Sequence, residues 1–148
     1  MAKVLIVIGS KSDADYAEKC KQQLEAFGID SSVEISSAHR HPTRTAELAA
    51  AAEADGFDVI IAMAGLAAAL PGVVAAHSNL PVIGVPLPAA LGGIDSLLSI
   101  VQMPPGIPVA TMGIGSPGAK NAAVMAARIL ALKYPQVAQA IAKHRENL

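Results

Sequence analysis

Two short polar stretches in a mostly apolar chain carry the residues able to do chemistry. Ser36-Ser37-Ala38-His39-Arg40-His41-Pro42 sets a histidine beside an arginine, and Gly9-Ser10-Lys11-Ser12-Asp13 closes the first apolar run. A histidine titrates near neutral pH and can give or take a proton. An arginine presents a fixed fork of donors that suits phosphate. Backbone N–H groups at a helix start attract anions, and the hydroxyls of Ser10, Ser12 and Ser37 can add hydrogen bonds. The carboxylate of Asp13 can accept from sugar hydroxyls. The chemistry these types support is proton transfer on a small phosphorylated substrate. The pentapeptide keeps a second reading, in which Ser12 or Asp13 serves as the N-cap of the next helix. His41, just before Pro42, is read as a residue at a helix start.

Both stretches fall where an apolar run hands over to a helical pattern. Strands are expected at 3–8, 31–36, 58–63, 81–85 and 107–112, and helices at 13–27, 43–55, 67–78, 93–101, 118–133 and 135–146. Gly28 suits the C-terminal cap of the first helix, Pro42 the first turn of the second, and Pro135 the break between the last two. Strand–helix alternation at this spacing predicts a parallel sheet covered on both faces. Continuous apolar strands are the mark of such burial. In an open α/β sheet, ligands sit at the carboxyl ends of the strands, where both stretches are placed. Residues 1–148 are read as one domain ending in the helices at about 118–146, with no repeat and no linker. The segment 84–93 is too apolar for a linker and is expected as an ordered loop beside a site or interface.

The remaining candidates are weaker. Gly65, after the third strand, allows close backbone approach to a ligand. Asp95, Ser96, Ser99 and Gln102 form a polar stripe that serves either caps and interfaces or substrate. Lys120, beside a glycine-rich turn, either holds a phosphate or stands in solvent, the commoner outcome, and His77 is expected as structural. The four histidines lack metal-ligand spacing, and His39-x-His41 has no third ligand nearby. The lone Cys20 is expected as a buried small hydrophobe.

Composition bounds the rest. With 53% hydrophobic and 16% charged residues the chain is too apolar for disorder, yet no apolar run spans a bilayer without Gly, Pro or polar breaks. The N-terminal run meets Gly9-Ser10-Lys11 without a cleavage-like site, so it is read as a buried strand and the protein as cytoplasmic. A net charge of −1 gives no footprint for nucleic acid or an anionic membrane. So few charges, with abundant alanine, predict a surface partly covered by further copies of the chain.

Six ordered motifs carry a resemblance that covers about residues 3–131. They are Gly9-Ser10-Lys11-Ser12-Asp13, Ser37-Ala38-His39-Arg40, Ala64-Gly65 with Leu70-Pro71-Gly72, Pro81 to Pro86, Asp95 to Pro104 with Gly106 to Thr111, and Gly118-Ala119 with Asn121-Ala122-Ala123. The chain resembles the PurE family of purine biosynthesis. The resemblance implies a flavodoxin-like three-layer α/β/α sandwich with a five-stranded parallel sheet, assembled as a homo-octamer with sites where subunits meet. It implies conversion of N5-carboxyaminoimidazole ribonucleotide to 4-carboxy-5-aminoimidazole ribonucleotide, with no cofactor and with CO2 held between two half-reactions. His39 is then the general acid–base that moves a proton between the nitrogen and carbon sites. Asp13 is assigned to the ribose hydroxyls, Arg40 with Ser10, Ser12 and Ser37 to the phosphate, and Gly65 to the CO2 and imidazole pocket. Three positions depart from the common pattern. Ala69 stands where most class I members have His, His41 replaces the usual Thr, and the 87–93 loop is shorter. The competing functions are a direct CO2-dependent aminoimidazole ribonucleotide carboxylase, and a non-catalytic nucleotide-binding module.

Overall fold

The computed structural model describes residues 1–148. Five strands form one all-parallel sheet: β1 Lys3–Ile8, β2 Asp30–Ile35, β3 Val59–Ala64, β4 Val82–Pro86 and β5 Ala110–Thr111, in the order β2-β1-β3-β4-β5. Six helices connect and cover them: α1 Ala14–Ala26, α2 Pro42–Ala51, α3 Leu70–His77, α4 Ile94–Val101, α5 Ser116–Leu130 and α6 Pro135–Glu146. This is the α/β flavodoxin-like arrangement.

Strand order and handedness together decide which helix lies on which face. Parallel crossovers are right-handed. The step from β1 to β2 runs one way along the sheet, whereas the steps β2 to β3, β3 to β4 and β4 to β5 run the other. The α1 helix therefore covers one face and α2, α3 and α4 the opposite one. The core divides accordingly. Val4, Ile6 and Ile8 of β1 point into a cluster with Cys20, Leu24 and the alanines of α5. Leu5 and Val7 point into a second cluster with Ala49, Leu70, Val74 and Ile100. Successive side chains of a strand leave opposite faces, so β1 and β3 must be apolar throughout, and both are buried along almost their whole length. Each such side chain contributes about 1.5–3 kcal/mol on burial.

Small residues set how closely the layers approach. At Gly118 a β-carbon would collide with the carbonyl oxygen of Gly113, so only glycine lets the start of α5 seat on the turn before it. Cys20 is fully buried against this layer, and burial pushes its thiol up to about 12, leaving it an inert hydrophobe as expected.

Several boundaries moved from expectation, among them the second helix, expected to 55 but ending at Ala51, and the helix expected at 118–133, which runs Ser116–Leu130. The strand expected at 107–112 forms ladder pairs only at Ala110 and Thr111, since Pro108 has no N–H to give a ladder. The third helix begins at Leu70 rather than 67, with Pro71 in its first turn, which leaves 65–69 as a loop. The first helix is preceded by a single 3-10 turn, Lys11–Asp13. The strand β2 lies at the sheet edge and is half-exposed, unlike the continuous apolar runs of β1 and β3.

Candidate functional site

The sheet order reverses direction between β1 and β3. Chain leaving β1 turns toward β2, and chain leaving β3 turns toward β4, so the two loops diverge and open a crevice at the carboxyl ends. A cleft of about 610 Å³ occupies this place. It is lined by Ser10, Ser12 and Asp13 after β1, by Ser37, His39 and Arg40 after β2, and by Gly65 after β3. The chemically able residues of both polar stretches, with Gly65, thus reach one cavity, of a size ordinary for small-molecule sites. Pro88 and Ala89 form part of its wall, which places the 84–93 segment beside a site as its composition predicts.

The first loop divides its labour. Ser10 has an extended backbone and accepts a hydrogen bond from the Ser12 N–H at 3.1 Å, so Ser10 is the cap of the 3-10 turn. Its hydroxyl also meets that of Ser12 at 2.7 Å. Asp13 stands at the N-cap position of α1 but makes no side-chain cap bond. Its carboxylate faces the cleft instead. Burial there raises its pKa, a backbone hydrogen bond from Ser10 opposes the shift, and burial prevails. A carboxylate held half out of water without a cationic partner is disposed to accept hydroxyl donors from a ligand.

The second loop is held at both ends by one buried hydroxyl that sequence reasoning missed. Thr45, on α2 and fully buried, meets the Ser36 Oγ at 2.7 Å, donates to the His41 carbonyl at 2.9 Å and lies 3.3 Å from the Ser37 carbonyl. The Ser37 hydroxyl accepts from the Arg40 N–H at 3.1 Å and closes the turn between them. This leaves the His39 and Arg40 side chains exposed at the cleft. His41 is the N-cap residue of α2 and does not line the cleft, in keeping with its reading as a helix-start residue.

In the third loop, the space a Gly65 β-carbon would take lies 3.3 Å from the Leu87 carbonyl oxygen. Glycine here lets the 87–89 segment close on the cleft as well as opening room for a ligand. Ala69 lines the same wall. Leu66 has a φ of +56°, the one residue besides glycines with a left-handed backbone. No sequence signal marked it.

The other candidates lie elsewhere. Ser96 is buried and donates to the carbonyls of Leu87 and Gly93, both at 2.9 Å, and Ser99 donates to the Asp95 carbonyl at 2.9 Å. These are cap and packing bonds rather than ligand contacts. Lys120 is exposed and outside the cleft. His77 bonds the Val73 carbonyl through Nδ1 at 3.0 Å and borders a second hollow of about 570 Å³ at the amino end of β4. That hollow offers no second titratable side chain. No three His, Cys, Asp or Glu side chains converge as a metal-binding group, and no helix is long and apolar enough to cross a membrane.

A family model described as AIR carboxylase matches residues 3–148. An N5-carboxyaminoimidazole ribonucleotide mutase of Pyrococcus abyssi is 54% identical over 100% of this chain and 84% of the relative. The protein of the same name from Saccharolobus solfataricus is 52% identical, over 100% and 93%. Among solved structures, Treponema denticola PurE superposes with a TM-score of 0.87 at 32% identity, over 99% of this chain and 91% of that one.

Proposed function

The chain belongs to the AIR carboxylase family, and from that premise we propose that it is an enzyme of purine biosynthesis that converts N5-carboxyaminoimidazole ribonucleotide to 4-carboxy-5-aminoimidazole ribonucleotide. One observation carries the reading: a histidine, an arginine, a half-buried aspartate and three serines, from two loops far apart in sequence, line one cleft at the sheet's switch point. The names of the relatives at about half identity agree with it. They favour the mutase over a direct carboxylase, and a binding module has no need of the histidine.

The residues divide the task by type. Ser10 and Ser12 at the start of α1 and the Arg40 guanidinium bind the phosphate, where the helix end and a cation act together. Asp13 accepts from the ribose hydroxyls, and a ligand that supplies those donors offsets the burial of its carboxylate. The imidazole of the substrate then lies toward Gly65 and His39. In the first half-reaction the N–C bond of the carbamate breaks. Its electron pair returns to nitrogen, CO2 is released into the pocket, and His39 supplies the proton that nitrogen takes. In the second, the ring carbon attacks CO2, a C–C bond forms, and the proton leaving that carbon returns to His39. One proton is given and one regained, so the reaction is a balanced isomerisation. An imidazole can both give and take a proton, so it serves both directions. Holding CO2 beside the ring makes the second step unimolecular in effect.

The reading extends to assembly and place. Ile94, Leu98 and Val101 of α4 are 56%, 53% and 48% exposed, and Leu91 is 70% exposed. Spacings of four and three put the helix residues on one stripe. An apolar stripe of this kind supports a homo-oligomer, an octamer by the family resemblance, working in the cytoplasm.

His39→Asn tests the proposal. The variant is expected to bind the ribonucleotide nearly as the parent does and to lose turnover. Retained turnover would remove His39 from the mechanism.

A further inference from the structure

Resting on the mutase reading, we propose that Leu66 is the residue that keeps CO2 in the cleft between the two half-reactions. Three observations meet in it. Its backbone has a φ of +56°, a region that branched apolar L-residues seldom enter. Its side chain is 64% exposed in the chain, so no buried contact within the chain offsets that conformation. It is the only large apolar side chain on the cleft lining that is exposed. The neighbours Gly65, Ala67, Ala68 and Ala69 are small, and Leu70 is buried.

Strained conformations persist where the segment has a task to perform. The left-handed turn lifts the Leu66 side chain above a run of small residues at the cleft's edge. A bound ribonucleotide gives it a surface to cover. Covered, the leucine leaves water, and the cleft, already walled by Pro88 and Ala89, gains an apolar closure. Carbon dioxide is itself apolar, carries no charge for Arg40 or His39 to hold, and diffuses away from any open site. An apolar cover therefore retains it where polar contacts do not. The cover leaves both chemical steps unchanged and alters only how often CO2 escapes before the ring carbon attacks it.

The test follows labelled carbon. The N5-carboxylated ribonucleotide, labelled in its carboxylate, is turned over in a buffer holding unlabelled CO2, and the label kept in the product is compared with that lost to the buffer, corrected for loss without protein. Leu66→Asn accepts the left-handed backbone but removes the apolar cover, and Leu66→Met keeps an apolar side chain. The unaltered protein and Leu66→Met are expected to keep the label. Leu66→Asn is expected to lose it about tenfold more often per product formed, the effect of removing a leucine's worth of apolar cover. Leu66→Asn should also melt no lower than the parent, which separates the loss of label from loss of fold. Product formed by a folded Leu66→Asn with the label kept as in the parent overturns the proposal. Absence of product from the unaltered protein overturns the mutase reading and the cover with it, a result distinct from the first because it needs no variant.

Discussion

Thr45→Val removes one buried oxygen and changes little in shape, so its effects report on the loop that carries His39. In the parent, the Thr45 hydroxyl gives its one proton to the His41 carbonyl at 2.9 Å, which makes Ser36 the donor in their 2.7 Å contact. Valine strands the Ser36 hydroxyl, and both residues are essentially without solvent. A buried donor left without a partner costs about 1–3 kcal/mol. At about 2–4 °C per kcal/mol for a chain of this size, Thr45→Val is expected to lower Tm by roughly 2–12 °C. Ser36→Ala removes a donor and leaves Thr45 with its carbonyl partner, so it costs about 1 kcal/mol. The double variant has no donor to strand and should cost scarcely more than Thr45→Val alone, a coupling of about 1 kcal/mol. Denaturant unfolding of the four proteins measures the cycle. Activity adds a second readout. Loosening both ends of the loop misplaces His39 and the neighbouring Arg40 while leaving Ser10 and Ser12 in place, so kcat falls about tenfold or more and KM rises with it. Additive unfolding energies, or a Tm loss with unchanged kcat, would refute the view that this hydroxyl positions the loop.

Further outcomes follow from the same geometry. Burial holds Asp13 above its usual 3.8 in the folded chain, so its ionisation opposes folding. Asp13→Asn should raise Tm at neutral pH while weakening substrate binding. That gain is absent below the unfolded-state value and grows as pH rises through the raised folded value, which melting curves across pH would show. Arg40→Ala removes a charged hydrogen-bonding partner of the phosphate and should raise KM about tenfold to a hundredfold with kcat less affected, as steady-state kinetics would show. Asp58 lies at the other end of the sheet, where burial pushes its carboxyl up but hydrogen bonds from Lys133, Tyr134 and the Lys3 N–H, with the Lys133 charge, outweigh it and hold it low. Asp58→Ala should lower Tm by a few degrees at pH 7, about 1 kcal/mol from the partly buried Tyr134 bond and little from the exposed Lys133 pair. The deficit should shrink as pH falls through the depressed value of Asp58, where the parent loses the same bonds.

The layers and the site loops were readable in the chain because their causes are local. β3 is apolar at every position and β1 at all but Lys3, as strands buried on both faces must be, and each ends in glycine, serine or alanine where a helix begins. The convergence of Ser10, Asp13, His39 and Arg40 on one cleft followed from strand order, since loops at the carboxyl ends of adjacent strands must meet. What escaped depends on contacts made only after folding. Thr45 looks like any small polar residue in a helix until packing brings it to Ser36 and the His41 carbonyl. The backbone of Leu66 has no signature in a run of alanines with high helix propensity, and that same propensity put the start of α3 three residues too early. Asp58 meets Lys133 and Tyr134 across 75 and 76 residues, a distance no periodicity reveals.

The central claim is that a carboxylate is moved within one ribonucleotide. It is tested most directly by supplying the N5-carboxylated ribonucleotide alone at low CO2, and separately aminoimidazole ribonucleotide with CO2, and measuring product from each. Efficient turnover of the carboxylated substrate without added CO2 is expected. Turnover only of aminoimidazole ribonucleotide with free CO2 would contradict it and make the protein a direct carboxylase, and activity with neither would leave a binding protein.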